Sequence, residues 1–551
     1  MTQPKRRTLL LLVLVLAAIW FSNLDYRKLI RPDEGRYAEI AREMAVSGDW
    51  ITPRLNGIKY FEKPPLQYWA TAAAFRAFGV REWTARLWPA LTGFLGILLI
   101  GFLGSRLYGT TAGFYAGLVT ASAAGYIGMG HLNTLDMGLT FFMTATLAGF
   151  LLAHRTGASP IEERRWMLAA WASAALAVLS KGLIGVVLPA GAAAIYILIE
   201  RDFRLLRRCH CTAGITIFLL IGAPWFVLAQ LDNPEFARFF FVHEHFQRFL
   251  TTVHRRVEPW WYFLPVLAIG LWPWFTLLPQ AFAKAWRVRG PAAAFQPGRF
   301  LLIWAVFIFV FFSFSHSKLM SYILPIFPAL ALLVAARLAQ LESRSFFWHA
   351  LTNVVIGLLI LALSPLAVRL ARPATPPALV ENYVPWIAAG GLAILTGAGL
   401  CLLWSRGNRP LAALIAMALG SLVGVQLIGT GHNALSPAYS GYYLAQAIKP
   451  YLDPALPIFS VKTYDQTLPF YIERTVTLVA HDSELNYGLE QEPQLGVPTL
   501  AQFERAWRQA PRALAIMEPL TYTMFEQKGL PMRIIARDPR RIVIAKPEPP
   551  P

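Results

Sequence analysis

Arg31-Pro32-Asp33-Glu34-Gly35-Arg36-Tyr37-Ala38-Glu39, followed later by Tyr60-Phe61-Glu62-Lys63-Pro64-Pro65, is the stretch whose surroundings decide the fold. It is charged and aromatic, and what flanks it is neither. Before it, Thr8 to Trp20 is one apolar run; after it, apolar runs recur until about Leu427. Many of these approach the ~20 residues that cross a bilayer as a helix. Over 551 residues the chain is 56% hydrophobic and 15% charged, with 18 Trp, which takes it out of the ordinary soluble class. The charged block is therefore a loop between membrane spans.

Thirteen spans are expected, at 8–24, 85–104, 110–128, 132–153, 166–180, 183–199, 211–230, 260–281, 299–315, 319–339, 347–368, 384–404 and 410–428. The fifth and sixth are short and parted by Ser180-Lys181-Gly182. Lys5-Arg6-Arg7 ahead of the first run has the form of a signal peptide. Ala17-Ala18-Ile19 is a poor cleavage site and more spans follow, so a retained anchor is expected.

The net charge of +19 does not form a nucleic-acid stripe. Lys and Arg sit in short clusters between apolar runs, and alternate loops carry them: Lys5-Arg6-Arg7, Arg106, Arg164/Arg165, Arg207/Arg208, Lys284/Arg287 and Arg406/Arg409. By the positive-inside rule that side is cytoplasmic. The opening motif, the 231–259 loop, Lys318 and the carboxyl-terminal tail then face the opposite side. Cys209, Cys211 and Cys401 make no disulfide framework.

In the first loop, Pro32 suits a helix start, and Asp33 and Glu34 suit the positive end of its dipole. Tyr37, Ile40, Ala41 and Met44 recur at helical spacing, with Gly48 as a stop. The spacing predicts an amphipathic helix on the membrane surface, with Asp33, Arg36 and Tyr37 on one edge. A second helix is expected from Pro65 to Gly79. After Thr430 the composition turns soluble. Pro457–Val461, Val476–Ala480, Ala513–Met517 and Arg533–Ala545 read as strands, and Thr499-Leu500-Ala501-Gln502 as a capping box. The division is residues 1–429 as a membrane domain, with 23–84 its first outer loop, and 430–551 as a small α/β domain. The fold class is thus a polytopic α-helical membrane protein of about thirteen spans, with amphipathic juxtamembrane helices and a soluble α/β tail.

Asp33 and Glu34 could merely favour a helix start, worth ~0.3–1 kcal/mol. Their company in one loop argues for chemistry instead: Arg36, Tyr37, Tyr60, Glu62 and Lys63. Asp136 stands at the outer end of the fourth span, where a carboxylate must face protein or a wet cavity; it either pairs with Lys181 or Arg86 or serves that cavity. Lys63, Lys181, Arg248 and Lys318 are outer cations that either snorkel to the interface or converge on a phosphate. Glu62, His243 and His245 could take up zinc adventitiously, but no metal or other cofactor is expected to be required. There is no phosphate-binding glycine loop, dinucleotide fingerprint or nucleophile elbow. The energy for group transfer must then arrive with the substrate.

These motifs, together with Leu135-Asp136, Ser180-Lys181-Gly182, His245-Phe246-Gln247-Arg248-Phe249, Pro259-Trp260-Trp261-Tyr262 and Lys318-Leu319-Met320-Ser321-Tyr322, resemble those of the bacterial 4-amino-4-deoxy-L-arabinose lipid A transferases. These are GT-C glycosyltransferases related to the protein O-mannosyltransferases. The resemblance implies an undecaprenyl phosphate-linked sugar donor and a lipid A phosphate acceptor. They would meet at the periplasmic face of the bacterial inner membrane, on a monomer with a cytoplasmic amino terminus. It implies that Asp33 is the principal catalytic carboxylate with Asp136 near it. Lys63 and Arg248 would hold the donor phosphate, helped by Lys181 and Lys318, with Glu34, Arg36, Tyr37, Tyr60 and Tyr322 about the cavity. A protein hydroxyl acceptor would ask Asp33 to act as a base. A phosphate acceptor, largely deprotonated at neutral pH, would ask it to position.

Overall fold

The structure is a computed structural model that describes residues 6–247, 258–288, 294–341, 346–373, 375–407 and 409–546. All thirteen expected spans fall on helical segments. Among the described residues, eight helices are long and apolar enough to cross a membrane, or nine if a bent pair counts as one. That pair, Phe263–Gly270 and Phe275–Arg287, bends by 109° where one straight span over 260–281 is expected. Pro273 lies in the break and has no N–H to continue the ladder.

The amino-terminal helices are α1 (Arg6–Phe21), α2 (Asp33–Ser47), α3 (Leu66–Phe78), α4 (Glu82–Tyr108), α5 (Thr110–Ser122), α6 (Ala124–Gly130), α7 (Asp136–His154), α8 (Pro160–Lys181) and α9 (Ile184–Glu200). α2 ends as its sequence predicts. Gly48 adopts φ +77°, and its N–H closes on the Met44 carbonyl. Gly182, at φ +92°, makes the turn from α8 into α9. Between α2 and α3 a small hairpin pairs β1 (Arg54–Leu55) with β2 (Ile58–Lys59).

The tail forms a six-stranded sheet from β3 (Ile458–Val461), β4 (Thr477–Val479), β5 (Gly496–Val497), β6 (Leu514–Met517), β7 (Arg533–Arg537) and β8 (Ile542–Ala545). The strand order is β5-β4-β3-β6-β8-β7. β5, β4, β3 and β6 run parallel, and β8 and β7 run antiparallel to their neighbours. The stretch 533–545, read as one strand, is a hairpin. Asp538 turns the chain by accepting from the backbone N–H groups of Arg540 and Arg541 at 2.8 and 2.7 Å. The capping box is present, with Thr499 and Gln502 closing the start of Leu500–Gln509.

Both faces of the sheet are covered, which explains its unbroken apolar strands. Phe459, Val461, Ala515 and Met517 pack with Phe503, Trp507 and Phe525 of the tail's own helices. Ile458, Leu514, Ile516 and Val543 share a core with Tyr37, Ile40, Ala41 and Met44 of α2 and with Tyr68 and Phe75 of α3. The two predicted loop helices therefore do not lie open on a membrane surface. Even the polar side of α2, including Glu34, Glu39 and Arg42, is buried. The tail sheet supplies the second cover, and the outer loop and tail are one packed unit.

Candidate active site

The first turn of α2 sends two adjacent acids in different directions. Glu34, 2% exposed, takes Arg86 in a fork, Nε to Oε1 at 2.7 Å and Nη2 to Oε2 at 2.9 Å. It also accepts the backbone N–H groups of Asn133 and Ile30, each at 3.1 Å. Arg86 spends its other donors on the carbonyls of Leu24, Arg27 and Lys28. Burial alone would raise the Glu34 pKa, but the Arg86 charge and hydrogen bonds bring it down to about 2. Expected in the cavity, Glu34 is instead an anchor that ties α2 to α4, and it has no lone pair left for a substrate.

Asp33 points elsewhere and keeps 41% of its side chain exposed. Arg36, one turn on, holds it at 2.9 Å through Nη1 and reaches Glu484 of the tail with Nη2 at 3.1 Å. Gln466 donates to the same Glu484 oxygen at 3.0 Å. Burial opposes ionisation of Glu484, yet Arg36 and Gln466 hold its pKa below the usual range. The glycine of the Pro-Asp-Glu-Gly motif permits this contact. A Cβ on Gly35 would stand 2.5–2.6 Å from Thr467 Cγ2, Gln466 O and Thr467 N.

Tyr37 stacks at a tilt on Tyr68, ring centroids 6.0 Å apart. Burial, then Asp33, push its pKa up; Arg36, Glu62 and Asp136 are close enough to act on the same phenol. Tyr60 is 1% exposed, and its hydroxyl has no hydrogen-bond partner among the described residues. Burial and Glu62 push its pKa up as well. Asp136, expected to pair with Lys181 or Arg86 or to serve a cavity, forms an ion pair with Lys181. The Lys181 ammonium also lies 5.2 Å from the centre of the Tyr322 ring. Asp33, Arg36, Tyr37, Tyr60, Glu62, Asp136, Lys181 and Tyr322 thus form one neighbourhood.

Lys318 is not drawn into it by any described contact: it is 7% exposed and donates to the Glu258 carbonyl at 2.9 Å. Lys63 Nζ donates to the Glu62 carbonyl at 2.7 Å. Arg248 lies outside the described residues, as does the side chain of His245. His243 stacks on Phe239, which in turn stacks on Tyr487 of the tail at 3.9 Å. Among the described residues, no three His, Cys, Asp or Glu side chains gather as metal ligands. Tyr68 and Glu484 are additions the sequence did not signal. Tyr68 reads as an ordinary helix aromatic, and Glu484 sits in a motif-free loop 448 residues from its partner.

Chemically, this is a half-exposed carboxylate fixed by a guanidinium, beside an acid–ammonium pair and a wall of tyrosines. Such a site suits the displacement of an anionic leaving group.

Residues 5–240 match the family described as dolichyl-phosphate-mannose-protein mannosyltransferase, and residues 444–546 the aminoarabinose transferase C-terminal domain. The undecaprenyl phosphate-alpha-4-amino-4-deoxy-L-arabinose arabinosyl transferase of Edwardsiella ictaluri is 30% identical over 496 residues, 88% of each chain. The Aeromonas salmonicida protein of the same name is 34% identical over 353 residues, 62% of this chain and 64% of that one. The match to that relative therefore spans slightly less than two thirds of its length. The crystal structure of ArnT from Cupriavidus metallidurans bound to undecaprenyl phosphate superposes with a TM-score of 0.94 at 37% identity, covering 99% of this chain and 100% of that one. An archaeal oligosaccharyltransferase from Archaeoglobus fulgidus shares the fold, with a TM-score of 0.52 at 13% identity over 93% of this chain and 69% of that one.

Proposed function

Because the chain belongs to the undecaprenyl phosphate-4-amino-4-deoxy-L-arabinose arabinosyl transferase family, we propose that it moves 4-amino-4-deoxy-L-arabinose from undecaprenyl phosphate to a phosphate of lipid A. The observation that carries the chemistry is the half-exposed Asp33, held by Arg36 beside the Asp136–Lys181 pair. The acceptor phosphate oxygen attacks the anomeric carbon. The bond from that carbon to the donor phosphate breaks, and undecaprenyl phosphate leaves with the electron pair. A monoester dianion becomes a diester on the acceptor side as the reverse happens on the donor side. Negative charge moves across the sugar and no proton need move.

Asp33 is then a positioning carboxylate, and its charge suits the ammonium of the aminosugar. Lys181 and Lys63, with Arg248 and Lys318, are the candidates to stabilise the departing phosphate. Side-chain cations suffice for this step, so no metal is required and zinc at Glu62, His243 and His245 would be adventitious. Transfer should therefore survive EDTA. The loop charges support a site and tail on the periplasmic side of the bacterial inner membrane, with the amino terminus cytoplasmic. The protein acts as a monomer.

The test is mass spectrometry of lipid A from cells with and without the gene. A pentosamine increment on lipid A phosphate, with resistance to polymyxin and other cationic peptides, is expected. Label from a polyprenyl-phosphate sugar appearing in protein would instead make the enzyme a protein O-mannosyltransferase.

A further inference from the structure

The end of the helix bundle remote from Asp33 holds a groove that sugar transfer does not use. α8 carries Lys181 at one end and Arg164 near the other, ~26 Å apart along its axis. That is most of a ~30 Å bilayer core. On the Arg164 side of the membrane, α7, α8 and α9 leave a cavity of about 260 Å³ between them. We propose that this groove seats one acyl chain of an anionic phospholipid from the leaflet opposite the active site, with the lipid phosphate held by Arg164 and Arg207.

The lining is hydrocarbon almost throughout, from Leu147 and Phe150 of α7, Ala174 of α8, and Pro189, Ala193 and Ile197 of α9. Its polar groups are turned to other work. Thr146 Oγ1 donates to the Phe142 carbonyl and Trp171 Nε1 to the Cys209 carbonyl, each at 2.9 Å. A buried water needs about two to four polar partners and is poorly served here. The volume exceeds the ~150 Å³ of an apolar cavity that takes up benzene. Its shape is long: from Val186 to Ile197 the α9 wall runs ~16 Å. That is the depth of one leaflet, not two.

The mouth is formed by Leu206, Cys209 and Cys211, in the connection from α9 to the helix Cys211–Asp232. Arg208 ties this connection to the start of α8, donating to Glu163 at 2.7 Å and to the Ala153 carbonyl at 3.4 Å. The chain neighbours of that pair, Arg207 and Arg164, are exposed and have no acceptor among the described residues. The nearby acids are already matched: Glu162 with Arg155 at 2.8 Å, Asp202 with Arg204 at 2.8 Å, and Glu200 with Arg299 at 2.6 Å. The surplus charge at the mouth is therefore positive. Exposed Phe203 and Leu206 stand beside it, as interfacial anchors do. A basic mouth between spans suits a phosphate head group, and the dry groove beneath suits its chain. Inorganic phosphate has only the first feature and a neutral lipid only the second.

The test uses the full-length protein in detergent and phosphatidylglycerol with a diazirine in one acyl chain. After illumination and digestion, label should map to segments 167–174 and 186–197, and more strongly than from phosphatidylcholine of the same chains. Arg164→Gln and Arg207→Gln should each weaken phosphatidylglycerol labelling of these segments about fivefold, the scale of one surface cation near a head group. Phosphatidylcholine labelling should change little. Ala190→Phe, at an exposed position on the groove wall, should abolish groove labelling by both lipids and leave label on the outer surface of the bundle intact. Equal labelling of wild type by the two lipids, or undiminished labelling of Ala190→Phe, would overturn the site. Displacement of the label by excess undecaprenyl phosphate would give the groove to the donor's own chain and overturn it equally.

Discussion

The first turn of α2 has a root and a rim. At the root, Glu34 and Arg86 are buried and mutually saturated, and they bind α2 to α4 and to the chain at 24–30. At the rim, Asp33 is half exposed and steadied by one guanidinium that also reaches into the tail domain. Consecutive helical residues point about 100° apart, so neighbours can serve opposite ends. The root has no free lone pair for a substrate, and the rim has little packing to lose. A site that positions a substrate needs both, because an exposed carboxylate is only as well placed as the helix that carries it.

The largest expected effect breaks the root. Glu34→Ala leaves the Arg86 guanidinium buried without a counter-charge and should cost ~3–5 kcal/mol of stability. Thermal unfolding in detergent and abundance in membranes measure it. Its pH dependence follows in sign. The Glu34 pKa is about 2 in the fold against an ordinary value of 4.5, so its contribution is present above 4.5 and lost as pH falls toward 2. Between pH 5 and 8 the root should add no slope. If Glu34→Ala unfolds at the wild-type temperature and loses only transfer, root and rim are not distinct.

Next comes the rim. Asp33→Asn should reduce transfer at least ~100-fold, in the range for removing one preorganised electrostatic group, with an unchanged unfolding temperature. A fully active asparagine variant would remove Asp33 from the chemistry. A destabilised one would merge it with the root.

The helix that carries both residues was legible from Pro32, Gly48 and the spacing of Tyr37, Ile40, Ala41 and Met44, and it ends where the glycine turns left-handed. Which acid does which job was not legible. Asp33 and Glu34 look alike in sequence, and only the position of Arg86, 52 residues on, separates them. The partner of Arg36 was hidden for the same reason, since Glu484 is brought in by a domain folded far along the chain. Lys318 shows another limit, because a lysine at the end of an apolar run reads the same whether it snorkels, binds phosphate or caps a carbonyl. The hairpin at 533–545 was missed because Arg533–Arg537 and Ile542–Ala545 have one strand-like composition, and the Asp538 turn between them is short.

A smaller effect tests whether the tail sharpens the rim. Glu484→Gln takes one of two counter-charges from Arg36 and loosens its hold on Asp33. Transfer should fall about tenfold, the scale of one charge-assisted hydrogen bond. The loss should fall on kcat, with the affinity for undecaprenyl phosphate unchanged, because Glu484 acts through Arg36. Glu484→Asp should recover part of it. Unaltered kcat in the glutamine variant would reduce the tail to a cover.

A last effect lies at the far end of the same helix and inverts the behaviour of the root. Glu39 is fully buried and gripped by Arg42 at 2.6 and 2.7 Å. Glu43, one turn later, accepts the Gly57 N–H at 2.8 Å and lies against Glu39. Burial, then the Glu39 charge, push the Glu43 pKa up to about 8. The folded protein therefore holds a proton there that the unfolded chain releases near 4.5. The stability it brings is complete below 4.5 and is lost as pH rises through 8. Glu43→Gln replaces the protonated acid with a neutral side chain of nearly the same shape. At pH 8.5 it should be more stable than wild type, which there either ionises a buried acid or keeps a proton that the unfolded chain gives up. Near pH 5 the two should converge. Histidines and other groups titrate in this window in both proteins, so the difference between their unfolding curves isolates Glu43. Parallel curves would mean that Glu43 is ionised in the fold, and that Arg42 serves both acids as Arg86 serves the root.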